Sequence, residues 1–157
     1  MKTKTNRGFL VVEMLVAVAI ITFSILAAMA VTQKALYVAR LALHESEAAL
    51  LLEEGAEATR ILRDNDWDNV SSLSNGTNYY PTFAGGTWTL STTPATVGIF
   101  TRTVNLASVN RDSTTLDISE SGADDPKTKL ITVTVSWSEG DATKTKTLSF
   151  YLLDIFS

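Results

Sequence analysis

The chain has 157 residues, enough for one ordinary domain, with 45% hydrophobic side chains and 17 acidic against 13 basic residues, a formal net charge of −4. Such an acidic balance makes a poor partner for nucleic-acid phosphates or anionic lipid heads, so no direct nucleic-acid binding is expected. The absence of cysteine excludes structural disulfides, thiolate metal sites and a cysteine nucleophile, and the single histidine, His44, excludes a multi-histidine metal site within one chain.

These averages conceal an asymmetry that begins at the amino end. Residues 1–8, MKTKTNRG, are polar and basic through Lys2, Lys4 and Arg7. Residues 9–31, FLVVEMLVAVAIITFSILAAMAV, contain a single charge, Glu13. As a helix the run spans about 34 Å at ~1.5 Å per residue, enough for a hydrocarbon core of about 30 Å. Cations ahead of such a run stay on the cytoplasmic side. The expectation is therefore a single-pass cytoplasmic membrane protein with an exported carboxyl-terminal head. Without residues 1–8 the 13 basic side chains fall to 10 against 17 acids, a balance of −7.

Three explanations share this topology. An ordinary secretory signal is supported by Ala28-Met29-Ala30, which fits the A-x-A cleavage pattern. The run is long for a signal, however, and an acid near its start serves no purpose in a discarded peptide. A plain membrane anchor accounts for the length and the flanking charge but not for Glu13. An acid costs about 3 kcal/mol near the centre of a span and less near the interface, and an intramembrane acid marks function by default.

The third explanation covers all of these features. The string Arg7-Gly8-Phe9-Leu10-Val11-Val12-Glu13-Met14-Leu15-Val16-Ala17-Val18-Ala19-Ile20 resembles the prepilin signal of type IV pilins and type II secretion pseudopilins. The resemblance implies that a prepilin peptidase cuts after Gly8 and that Phe9 becomes an N-methylated amino terminus. It also implies that Glu13, fifth in the mature chain, meets the Phe9 ammonium of a neighbouring subunit as a filament grows. The residue types suit those roles. Gly8 lets the scissile backbone lie extended in a protease cleft. An ammonium and a carboxylate attract far more strongly in low dielectric than in water, and separating them strands a buried charge. The implied partners are the peptidase, other pilin subunits, an inner-membrane assembly platform and cytoplasmic membrane lipids, with no cofactor and no catalysis by this chain. Major pilins often carry a glycine and a proline within the membrane half; Thr22 and Ala30 stand there in this chain, which favours a minor pilin or pseudopilin.

Helix is expected to continue beyond the apolar run. Residues 32–63 contain no proline and one glycine, Gly55, and are rich in alanine, leucine and glutamate. Leu36, Leu43 and Leu50 recur every seven residues, with Ala39 and Ser46 between them, as a stripe facing a sheet or other helices. Arg60 and Arg63 complement the dipole near a carboxyl end at Arg63, and Asp64-Asn65-Asp66 suits a stop. Gly55 reads most simply as a tolerated glycine, with a packing contact or hinge as alternatives. Glu45, Glu47, Glu53, Glu54 and Glu57 read as a solvated face.

After Trp67 the period becomes two. Trp88 and Leu90, then Phe100, Val104 and Leu106 with Arg102 interrupting, then Ile131, Val133, Val135 and Trp137, then Leu148, Phe150 and Leu152 mark half-buried antiparallel strands. Residues 138–142 turn the last hairpin, and 107–129 read as a long polar loop with a weak strand signal at Leu116-Asp117-Ile118. The expected fold is α+β, a long amino-terminal helix packed on a small antiparallel sheet as in pilins. Its segments are a leader (1–8), a transmembrane or filament-core half (9–31), an amphipathic half (32–66) and a β-rich head (67–157).

Little else in the chain suggests chemistry. His44-Glu45-Ser46-Glu47-Ala48 lacks the second histidine of HExxH, so His44 reads as a surface or interface side chain. Asp112, Asp117, Glu120, Asp124 and Asp125 offer oxygen ligands that match no defined calcium loop, and no metal site is expected. Asn69-Val70-Ser71 and Asn75-Gly76-Thr77 fit the glycosylation sequon, a pattern that arises often by chance. The expected function is that of a structural filament subunit. The alternative is an exported binding or enzymatic domain on an ordinary signal or anchor.

Overall fold

A computed structural model describes residues 7–155, with side chains from residue 10 onward. The chain divides into two compact units, Met1–Leu43 and His44–Ser157. One helix, α1 (Arg7–Asn65), supplies the described part of the first unit and the start of the second. It is long and apolar enough to cross a membrane by length and composition. Its large apolar side chains from Leu10 to Val38 are exposed.

The second unit is an α+β fold in which residues 44–65 of α1 pack on an antiparallel sheet. A short helix, α2 (Asp68–Ser71), is followed by β1 (Asn78–Ala84), β2 (Thr87–Ser91), β3 (Thr96–Val97), β4 (Phe100–Arg111), β5 (Ala123–Glu139) and β6 (Ala142–Leu153). The strand order is β2-β1-β4-β5-β6, with β3 pairing the start of β4. Alternation sends Phe100, Val104 and Leu106 of β4 and Ile131, Val133, Val135 and Trp137 of β5 into one core with Ala48, Leu51, Leu52, Ala56 and Leu62 of α1. Registers such as Val104↔Val133↔Leu148 align the apolar positions row by row.

Several details depart from the sequence expectation. The heptad stripe does not face the sheet: Leu36, Leu43 and Leu50 are exposed, and the buried positions are Ala48, Leu51, Leu52, Gly55, Ala56, Ala58, Thr59 and Leu62. Small residues on that face let the helix axis lie close to the strands. Gly55 is a packing contact, because a Cβ there would fall 2.8 Å from Val133 Cγ1 and 3.1 Å from Arg102 Cδ. Helix α1 runs two residues past Arg63, and Asn69 Nδ2 donates to the Leu62 carbonyl near its end.

The expected loop at 107–129 shrinks to 112–122, since β4 extends to Arg111 and β5 begins at Ala123. Pro126 is accommodated where the β4–β5 register breaks between Ser108 and Asn110. Strand β1 has no counterpart in the sequence reading, because Pro81 obscures its alternation. It pairs with β4 only through Asn78↔Asn105 and Tyr79↔Val104, then continues with β2 alone. The proline therefore sits where no ladder bond to β4 is required. Gly85 and Gly86, with φ of +61° and +84°, close the β1–β2 turn, and Gly140 at +62° serves the β5–β6 hairpin.

Candidate functional site

The residues singled out at the amino end fall differently with respect to the described structure. Lys2 and Lys4 lie outside the described residues. The backbones of Arg7, Gly8 and Phe9 form the start of α1. Glu13 is one turn further along, exposed, and borders an open apolar depression with Val12, Val16, Ala17 and Ile20.

The other polar side chains of residues 10–31 are Thr22 and Ser24, and both are satisfied by their own helix. Thr22 Oγ1 donates to the Val18 carbonyl at 2.8 Å and Ser24 Oγ to the Ile20 carbonyl at 2.8 Å. Just beyond, Thr32 Oγ1 bonds the Ala28 carbonyl at 2.9 Å. Among the described residues the Glu13 carboxylate has no hydrogen-bond or ion-pair partner. A carboxylate on an apolar helix surface offers an attachment point for a cation brought from elsewhere. The helix continues without interruption through Ala28-Met29-Ala30.

The second unit treats its charges in the opposite way. Arg102, which breaks the apolar alternation of β4, is 4% exposed and faces α1. Its Nη1 lies 3.0 Å from Glu54 Oε2 and donates to the Leu51 carbonyl at 3.4 Å, while Nη2 donates to the Pro81 carbonyl at 3.3 Å. Its guanidinium also stacks 5.6 Å from the Trp88 ring centroid. Arg102 thus occupies the opening between β1 and β4 and ties both to the helix. Sequence reasoning recorded it as an interruption; the usable signal was its place in phase with Phe100 and Val104.

Two further pairs fasten the β5–β6 hairpin to the helix. His44 Nδ1 donates to Glu139 Oε2 at 2.7 Å, and the Glu139 side chain is only 5% exposed. The His44 ring also meets Phe100 edge-on, with centroids 6.2 Å apart. Lys146 Nζ reaches Glu45 Oε2 at 2.7 Å. Within the expected solvated face, then, Glu45 and Glu54 bind strands, Glu57 pairs with Arg60 along the helix, and Glu47 and Glu53 remain exposed.

No protein-family model, curated protein or solved structure matches this chain.

The acidic loop holds itself together through its own donors. Asp112 accepts from the backbone N–H groups of Thr114 and Thr115 at 2.7 and 2.9 Å. Those bonds, Thr115 first, hold its carboxyl below the usual carboxylate range. Asp125 Oδ2 accepts from Thr128 Oγ1 and from Arg111 Nε, each at 2.6 Å, and the Thr128 bond leads in lowering its pKa. Arg111 also donates to the Leu116 carbonyl at 3.0 Å, where Leu116 adopts φ +62°. Among the described residues no three of histidine, cysteine, aspartate and glutamate converge as a metal site would require.

Proposed function

We propose that this chain is a structural subunit, a minor pilin or pseudopilin, of a type IV pilus or related filament. In this reading it enters the cytoplasmic membrane through residues 9–31 with its head exported. Prepilin peptidase then cleaves after Gly8, Phe9 is N-methylated, and the mature subunit joins a filament. The observation that carries the reading is the isolation of Glu13: Thr22 and Ser24 are bonded within the helix, while this acid has no partner among the described residues. An ammonium on Phe9 of a neighbouring subunit supplies the missing charge. The assembly platform and surrounding subunits are the partners, and the chain performs no catalysis.

The exported domain on an ordinary signal is the competing reading, supported by Ala28-Met29-Ala30. Glu13 weighs against it, since an acid near the start of the apolar run serves no purpose in a discarded peptide. Intact mass and amino-terminal sequencing of the chain extracted from cells with an active prepilin peptidase decide between them. N-methylated Phe9 is expected. A chain beginning at Val31, or still at Met1, would overturn the proposal. Gly8→Glu should retain residues 1–8, and efficient cutting of that variant would count against the site.

A further inference from the structure

Between Glu13 and His44 the helix carries two charges, Lys34 and Arg40, and both are cations. They stand three residues on either side of Tyr37, a spacing that brings side chains together along a helix. Lys34 Nζ lies 5.2 Å from the Tyr37 ring centroid and Arg40 Cζ 5.8 Å. Tyr37 is 43% exposed, and Leu36 and Val38 beside it are exposed as well. The result is an aromatic flanked by two cations and framed by apolar surface.

Its position along the helix indicates what it meets. With Glu13 at one boundary of the hydrocarbon, Lys34 lies about 32 Å along the axis and Arg40 about 40 Å, at ~1.5 Å per residue. The hydrocarbon core is about 30 Å thick, so this segment falls in the opposite headgroup layer. Tyrosine concentrates there, and lysine and arginine direct their cations to phosphate while their stems cover apolar surface. The chain as a whole is acidic, but this stretch contains no acid to repel a phosphate.

We propose that Lys34, Tyr37 and Arg40 form an interfacial clamp for phospholipid phosphate on the exported face of the membrane. The clamp holds the subunit at a fixed depth before assembly and must release when the helix is withdrawn. It rests on the reading of residues 10–31 as a membrane span.

The chain has no native cysteine, so single reporters can be introduced. Full-length chain carrying Val38→Cys or Ala17→Cys is reconstituted into phosphatidylcholine–phosphatidylglycerol vesicles and into uncharged galactolipid vesicles. Labelling by a membrane-impermeant maleimide is then timed. In the phospholipid vesicles Val38→Cys should react slowly, and Lys34→Gln and Arg40→Gln should each accelerate it about fivefold. In galactolipid vesicles the wild-type background should react as fast as the double variant. Equal rates across backgrounds and lipids would overturn the clamp. So would a dependence on Lys34 and Arg40 that appears only at high protein-to-lipid ratio, which would assign these cations to a second copy of the chain. Ala17→Cys should stay unreactive throughout. Rapid labelling there would defeat the span itself, whereas a protected Ala17→Cys with an indifferent Val38→Cys defeats the clamp alone.

Discussion

The two stretches of α1, before and after His44, solve the problem of charge in opposite ways. After His44, Glu45 and Glu54 pair with cations on strands and Glu57 pairs along the helix. Before it, Glu13 has no partner among the described residues, and the large apolar side chains are exposed from Leu10 to Val38. Exposed apolar surface on this scale is unfavourable in water, at roughly 25 cal/mol per Å². The second unit buries its apolar side chains within itself, whereas the first exposes an apolar surface that by length and composition could cross a membrane.

The sharpest way to break this comparison is to remove the acid that remains unanswered. Glu13→Ala should insert in the membrane as well as wild type or better, because an intramembrane carboxylate opposes insertion. Cleavage after Gly8 should continue. Entry into filaments should fall by an order of magnitude or more if the charge pair forms in low dielectric, where losing one partner strands the other. Quantifying variant and wild-type chains in sheared filaments against their membrane pools tests this. Equal incorporation would show that the isolation of Glu13 has no role in assembly.

A second experiment tests how completely the head is packed. Gly55→Ala adds one methyl group to a helix, where propensity alone favours alanine by about 1 kcal/mol. The added Cβ would lie 2.8 Å from Val133 Cγ1, and Val133 is fully buried on β5, an interior strand. Overpacking of this kind typically costs about 1–3 kcal/mol, so the clash should outweigh the propensity and destabilise the head by about 1–2 kcal/mol. Denaturant unfolding of the detergent-solubilised full chain, followed by fluorescence of Trp67, Trp88 and Trp137, measures it. The pair Gly55→Ala with Val133→Ala should lose less than the two single losses combined. Strict additivity would show that the glycine is merely tolerated.

What was legible in the sequence follows from the range over which each feature is written. The amphipathic strands through Val104, Val133 and Leu148 and the long helix declare themselves locally, by period two and by composition. Glu13 is equally visible as the one charge in an apolar run, although the internal bonds of Thr22 and Ser24 that set it apart are not. The pairs that lock the head are invisible for a physical reason. His44 and Glu139 are 95 residues apart, and no local pattern records that two distant side chains will meet. Arg102 looks like a flaw in its strand until Glu54, Leu51 and Pro81 supply its partners. The stripe of Leu36, Leu43 and Leu50, read as facing a sheet or other helices, does not face the sheet; Ala48, Gly55, Ala56 and Thr59 pack there beside Leu51, Leu52 and Leu62, and small residues leave no conspicuous pattern.

The smallest effect expected lies in the loop at 112–122 and the start of β5 beside it, where charge is also answered from within. Its sign follows from the hydrogen bonds. Thr128 and Arg111 favour ionised Asp125, so its carboxyl titrates below its ordinary value in the folded head. A group lowered in this way contributes stability that is fully present above its unfolded pKa, near 4, and is lost as pH falls through the lower folded value. Asp112, lowered by the backbone of Thr115 and Thr114, acts in the same direction. The melting temperature of the full chain in detergent should hence decline below about pH 4. Asp125→Asn should melt lower than wild type at pH 6, and the gap should narrow as pH falls below about 4, because protonation progressively removes what the substitution removed. A gap of constant size across that range would place the value of Asp125 in its shape instead of its charge, and would set this loop apart from the ion pairs that fasten α1 to the strands.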